Sequence, residues 1–352
     1  MTIGRVEHPI IVSYWHTILR FLAAIQLLPA LEGGEETLVG GQAVMEGVMM
    51  RTPHAWGIAI RKPTGEMVTH SEPLERAAEK RKWLGWPFVR GLVTLGQAMM
   101  LGFRALKFSA NVALDDPELQ KDGKKAELSG WMLAANLVLS IGFFIFMYKF
   151  VPLLAATAIK RQVAALDNRV IFNLVDGGIR IAIFLLFIWG MSLWKDIRRI
   201  FEYHGAEHKT VFAFEDGQEL TIPAAQRYST YHPRCGTSFL MTIMLISIAA
   251  YALVPAVTFW GKFAARIALL PVIASVSYEM IRFAARLQRK AAAGAKVPLW
   301  RSGLFLLLTR PGMWLQRITT QPPADPQVEC AIQALDAAFA LEKQRGGELV
   351  IA

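Results

Sequence analysis

Cysteine is nearly absent: two residues, Cys235 and Cys330, in a chain of 352. At most one bridge is open to them, so the fold does not rest on a disulfide framework. Charge is also scarce, at 19% of residues against 54% hydrophobic. Acidic groups are the minority, 28 against 38 basic, for a formal net charge of +10. No internal repeat is visible, and no nucleic-acid-binding motif accompanies the basic excess, so nucleic acid is not the expected partner. Anionic lipid is.

What is present is apolar sequence in long runs. Residues 128–148 and 235–261 carry no charge, and each is long enough to cross a hydrocarbon core of about 30 Å. From Ile171 to Trp194 the run is broken only by Asp176 and Arg180. Four residues apart, they share a helix face and can pair, so they read as an architectural pair within a span. A fourth run, from residue 267 to about 285, reaches spanning length with Glu279 and Arg282 at its far end.

Four spans place both ends of the chain on one side. Basic residues crowd the segments 104–125, 195–234 and 282–301, whereas the opposite side holds Lys160, Arg161, Arg169, Lys262 and Arg266. The positive-inside rule then puts the termini and the 195–238 loop in the cytoplasm. There Cys330 is cytosolic and Cys235 lies at the membrane border, so neither is expected in a bridge.

Five regions follow. Residues 1–36 form an N-terminal extension containing FLAAIQLLPAL, which lacks a clear cleavage site and reads as an interfacial segment. Residues 37–86 are a β-rich cytoplasmic unit, with Lys62-Pro63-Thr64-Gly65 as the turn of a hairpin. Residues 87–127 comprise a helix opening at Pro87, too often interrupted by Arg90 and Arg104 to span, and a polar linker over 115–127. Residues 128–285 are the four-span region. Residues 286–352 contain a Trp-flanked interfacial element, LWRSGLFLLLTRPGMWLQ, and a final helix starting at Asp325-Pro326. Its apolar positions Val328, Ala331, Ile332, Leu335, Ala338 and Phe339 must dock on something. The expected fold class is therefore a mainly α-helical membrane protein with about four transmembrane helices, interfacial amphipathic helices and a small β-rich unit.

The chemistry concentrates in FEYHGAEHKT. His204-Gly-Ala-Glu207-His208 fits H-x-x-E-H, in which histidines one helical turn apart bind zinc and the glutamate polarises the attacking water. Gly205 raises the alternative of a helix end at this point. A third ligand is open among His232, Cys235 and Glu279, each expected near the same membrane face. The competing reading is a hydrogen-bonded polar cluster without metal, completed by Tyr203 and Arg234.

The blocks VGGQAVMEGVMMR, DIRRIFEYHGAEHKTV, YHPRCGTSFL and PGMWLQRITT resemble the signature blocks of the YqhQ-like family of bacterial integral membrane proteins. That family has no established function and is commonly labelled as predicted metal-dependent enzymes. The resemblance implies a bacterial inner-membrane location and zinc or another divalent cofactor. From the residues, the expected activity is hydrolysis of an amide, ester or phosphoester at the cytoplasmic membrane surface, with Glu207 as general base. The alternative is a scaffold or assembly factor whose partner is a membrane-protein client or a second copy of the chain.

The charge asymmetry makes a direct prediction. Reporters fused at Asp216 or at the C-terminus read cytoplasmic and one near Asp167 reads exported; an exported signal at Asp216 reverses the orientation.

Overall fold

The computed structural model describes residues 39–75, 81–114, 130–232, 235–255, 258–292 and 299–344. The N-terminal extension 1–36, the polar linker 115–127 and Arg234 lie outside the described residues.

The β-prone segment forms a four-stranded antiparallel meander, β1 (Gly40–Val44), β2 (Gly47–Arg51), β3 (Ala55–Arg61) and β4 (Met67–Pro73), paired in sequence order. The β3–β4 turn is the expected one. Gly65 sits at φ 87° and its N–H donates to Lys62 O at 2.9 Å, a conformation that favours glycine. The strands read as near-continuous apolar sequence because both faces of the sheet are covered. Trp56, Ile58 and Ile60 point to one face, where Val44 and Met49 join Leu101 and Ala105 of α1 (Val89–Leu114). Val48, Met50 and Ala59 point to the other, against α11 (Asp325–Gln344).

That last helix docks as its periodicity requires. Val328, Ala331, Ile332, Leu335, Ala338 and Phe339 are all buried. Gly57 permits the contact, since a Cβ there would lie 2.4 Å from Ala334 O and 2.7 Å from Ala338 N. Cys330 is in the same core, where burial pushes its thiol up to about 11 and keeps it protonated and inert. Cys235 and Cys330 are both free.

The apolar runs form a helical bundle. α2 (Gly130–Ile145) passes through a π-helical turn, Phe146–Phe150, into α3 (Val151–Lys160). A short turn leads to α4 (Arg169–Ser192), N-capped by Asn168, and then to α5 (Lys195–Glu215) and the short α6 (Ile222–Gln226). α7 (Gly236–Leu253), α8 (Phe259–Ala268), α9 (Leu270–Ala292) and α10 (Leu299–Thr319) complete it.

Two helical stretches, Val138–Lys160 and Arg169–Ser192, are long and apolar enough to cross a membrane. A third is added if α8 and the first part of α9, bent by 47°, count as one. Four spans are therefore not established. The run 235–261 is not one helix: α7 stops at Leu253, ahead of Pro255, and a new helix starts after Thr258. Proline removes a donor and biases the preceding residue away from helix, so an uncharged run of spanning length is cut short. Lys262 lies within α8. Asp176 and Arg180 do pair, and the same carboxylate also accepts from Arg266 Nη1 at 2.6 Å.

The Gly57 contact is testable. Gly57→Ala forces α11 off the sheet, at a cost of about 1–3 kcal/mol for overpacking. The expected result is a lowered melting temperature of the detergent-solubilised protein and faster proteolytic release of the C-terminal helix; an unchanged profile on both measures refutes it.

Candidate functional site

α5 carries the H-x-x-E-H motif in its interior. Gly205 does not end the helix, which runs unbroken from Lys195 to Glu215. The glycine is there because a neighbouring segment crosses at that point: a Cβ on Gly205 would meet Gln321 O at 2.1 Å. The Gln321 N–H donates to Phe201 O at 2.9 Å, fastening the end of α10 and its following residues across the helix.

This crossing brings Thr319 O to 2.8 Å from His204 Nδ1. A carbonyl only accepts, so Nδ1 carries a proton, and this is the tautomer whose lone pair is on Nε2. His208 is held the same way, with Nδ1 against Thr230 O. That carbonyl belongs to the segment after α6, which Lys209 anchors. Its Nζ donates to Gln226 O at 2.7 Å and Tyr228 O at 2.6 Å. Burial lowers the Lys209 pKa.

Cys235 is the N-cap of α7, and its Sγ lies 3.2 Å from His204 Nε2. Ligand atoms of His204, His208 and Cys235 all lie within 4.8 Å of one another, a spacing that one ion can bridge. Glu207 is buried beside them, with Oε2 3.9 Å from His204 Nε2. The edge strand β1 closes over it. A Cβ on Gly41 would come within 2.8 Å of Glu207 Cγ, so the backbone approaches the carboxylate side chain closely. The four residues line a cavity of about 510 Å³, walled by β1, by Ala98 and Leu101 of α1, and by Ile200, Phe201 and Leu240.

His232 and Glu279 take other roles. His232 lines the same cavity, but its Nε2 lies 3.4 Å from Glu215 Oε2 and its ring stands off from His208, with centroids 5.7 Å apart. Its backbone is clamped at both ends by the buried Gln316, whose Oε1 accepts from His232 N at 2.7 Å and whose Nε2 donates to His232 O at 2.8 Å. Glu279 is removed from the group altogether. Arg90 donates to both its oxygens, at 2.7 and 2.6 Å, and the Phe88 N–H adds a third contact. A buried guanidinium that needs a counter-charge holds the carboxylate in a bidentate pair, so Glu279 joins α1 to α9 instead of reaching the histidines.

Ahead of His204 on α5, Arg199 and Tyr203 reach the tip of the β1–β2 hairpin. Glu46, at φ 54°, accepts from Arg199 Nη2 at 2.6 Å and from Tyr203 OH at 3.3 Å. The hydrogen bond that Arg199 donates to Glu46 raises the Arg199 pKa, and burial raises that of Tyr203. This pair registers the sheet on α5. Nothing in the sequence pattern singles out Lys209, Gln316 or the carbonyls of Thr230 and Thr319 beyond the blocks they fall in, DIRRIFEYHGAEHKTV for Lys209 and PGMWLQRITT for Gln316 and Thr319, and Thr230 falls in none.

Fold and site together define a mostly helical protein with two or three helices of membrane-spanning character, a four-stranded sheet, and a His–His–Cys–Glu group in a cavity between them. The chain belongs to the family described as a protein of unknown function (DUF1385), whose model matches residues 86–341. It is 32% identical over 309 residues, 86% of this chain and 92% of the relative, to the uncharacterized protein YqhQ of Bacillus subtilis (strain 168). No solved structure matches it significantly.

Gly205→Ala should be the most damaging single-methyl change at the site. It displaces Gln321 and with it the Thr319 carbonyl, for an expected loss of about 1–3 kcal/mol. Thermal unfolding in detergent checks this; a melting temperature equal to that of the parent protein excludes a close crossing at Gly205.

Proposed function

We propose that this protein is a membrane-embedded metal-dependent hydrolase whose ion, zinc or another divalent metal, is held by His204, His208 and Cys235. One observation carries the reading: both imidazoles have Nδ1 directed to a backbone carbonyl, which leaves Nε2 for a ligand, and His204 Nε2 lies beside the Cys235 sulfur. This is the outer-shell arrangement that orients metal-binding histidines. The donor set, two imidazoles and a thiol, is one that zinc accepts.

A bound divalent ion supplies Lewis-acid polarisation of an oxygen ligand. The chain's own groups do the rest. Glu207 is the general base, placed on the same helix face as the histidines and shielded by the Gly41 backbone. Lys209 and Gln316 fix the segment that orients His208 and His232. Leu101, Ile200, Phe201 and Leu240 exclude water and favour a substrate with an apolar portion. Three protein ligands facing a cavity match a catalytic site, which keeps a position open, better than a closed structural one. This weighs against the scaffold reading.

The same proposal includes four crossings, with α7 as the third in chain order. Its 18 residues extend about 27 Å at 1.5 Å per residue, close to the thickness of a hydrocarbon core. The termini and the His204 cavity then face the cytoplasm of a bacterial inner membrane.

The test is elemental analysis of the purified protein beside variants. The parent and Glu207→Gln should carry about one metal per chain, while His204→Ala, His208→Ala and Cys235→Ser lose it. Glu207→Gln should depress activity about 10²–10⁴-fold, the usual contribution of a positioned base, read as failure to complement a strain lacking the gene. Full complementation by Glu207→Gln alongside failure of His208→Ala removes the hydrolase and leaves a structural metal. A parent protein without stoichiometric metal removes both.

A further inference from the structure

A second cavity, of about 180 Å³, lies at the other end of the bundle, where α3 ends, α4 begins and α7 gives way to α8. The His204 cavity lies at the opposite end of α7, by its N-terminus. The walls of the second cavity include Lys160, Asp167, Arg169, Asn173, Lys262 and Arg266. The charges do not balance. Lys160 pairs with Asp167 at 3.1 Å, but Arg169 reaches only Val254 O at 3.4 Å, and Lys262 Nζ stands 4.0 Å over the Phe172 ring. Arg266, 2% exposed, bonds Asp176, whose other oxygen is taken by Arg180. Behind them, buried Lys149 donates to Tyr251 OH at 3.0 Å. Among the described residues, two carboxylates thus serve six cations, and the buried Arg180 Nε has no hydrogen-bond partner. Positions 256 and 257, outside the described residues, are Ala and Val and add no acid.

In the orientation proposed above, on which this inference rests, these basic side chains lie on the non-cytoplasmic side against the positive-inside bias, where lone ones commonly snorkel outward to the interface. Here four of them, Lys160, Arg169, Lys262 and Arg266, line one concave space instead. Arg266 is buried and paired with Asp176, Lys160 and Lys262 are half-buried and Arg169 is exposed, so the unmatched charge gathers at the rim, where a convergent excess attracts an anion. Guanidinium and ammonium groups together suit a phosphate, which takes planar paired donors from one and a point charge from the other. The space is smaller than the about 300–1,000 Å³ usual for small-molecule pockets, so it takes a compact group.

We propose that this cavity is a binding site for a phosphate-class oxyanion entering from the non-cytoplasmic side, either free or as the phosphate of an anionic lipid headgroup. Arg266, fixed from behind by Asp176, forms its floor. Arg169 and Lys262 are the rim cations that engage the ligand.

The test uses the full chain in detergent with inorganic phosphate as probe, and in nanodiscs with phosphatidylglycerol in a phosphatidylcholine background. Thermal shift and native mass spectrometry read the two arms. Arg169→Gln with Lys262→Gln should weaken binding about tenfold or more, while Lys195→Gln with Arg198→Gln, cations at the opposite end of α4, leaves phosphate binding unchanged. Lys160→Gln with Lys262→Gln is a second rim pair should the first misfold. Saturable phosphate binding lost in the rim variants supports a free anion, and selective phosphatidylglycerol retention lost in them supports a headgroup. No binding in either arm, or equal binding by rim and control variants, overturns the site.

Discussion

The architecture depends on one backbone crossing. At Gly205 the residues following α10 pass over α5 so closely that only hydrogen fits between Gln321 O and the helix. That crossing sets Thr319 O on His204 and ties Phe201 to Gln321. It also fixes where the chain emerges to begin α11, which then covers the sheet. The Ala and Gly positions that let α11 and the sheet meet would be useless if the end of α10 were not held there. A glycine that weakens an isolated helix by about 1 kcal/mol is retained because tertiary contact replaces what propensity loses.

Around this crossing the site is built from pieces far apart in sequence. α5 contributes the histidines and Glu207, the N-terminus of α7 contributes the sulfur, and the edge of the sheet contributes a glycine backbone. The segment after α6 contributes a carbonyl. Rigid elements supply the reactive side chains, and ordered irregular segments supply the carbonyls that orient them. Buried Lys209 and Gln316 satisfy those segments' backbone groups, as buried polar backbone requires. The His204 group and the cationic cavity sit at opposite ends of α7. Asp176 and Arg180 lie behind the cationic cavity, whose floor Arg266 forms, in an interior where a charge must find a partner or a ligand.

Much of the fold was legible because it rests on local rules. The Lys62–Gly65 turn, the docking stripe of α11, the span from Arg169 and the Asp176–Arg180 pair follow from turn chemistry and from periods of two and 3.6. The histidine pair and Glu207 were legible for the same reason, since i and i+4 share a face on any helix. The sequence by itself therefore determined the helical and apolar character, the sheet's hairpin and the shared face of His204, Glu207 and His208. Only the tertiary structure decided that Cys235 joins them while Glu279 does not, that Gly205 marks a crossing and no helix end, and that the uncharged run 235–261 breaks at Pro255. The first two depend on which distant groups compete for a side chain or a backbone position, and the third on a local proline effect that the uncharged run concealed. Arg90 outbids the histidines for Glu279, and nothing in the spacing of either residue encodes that they meet.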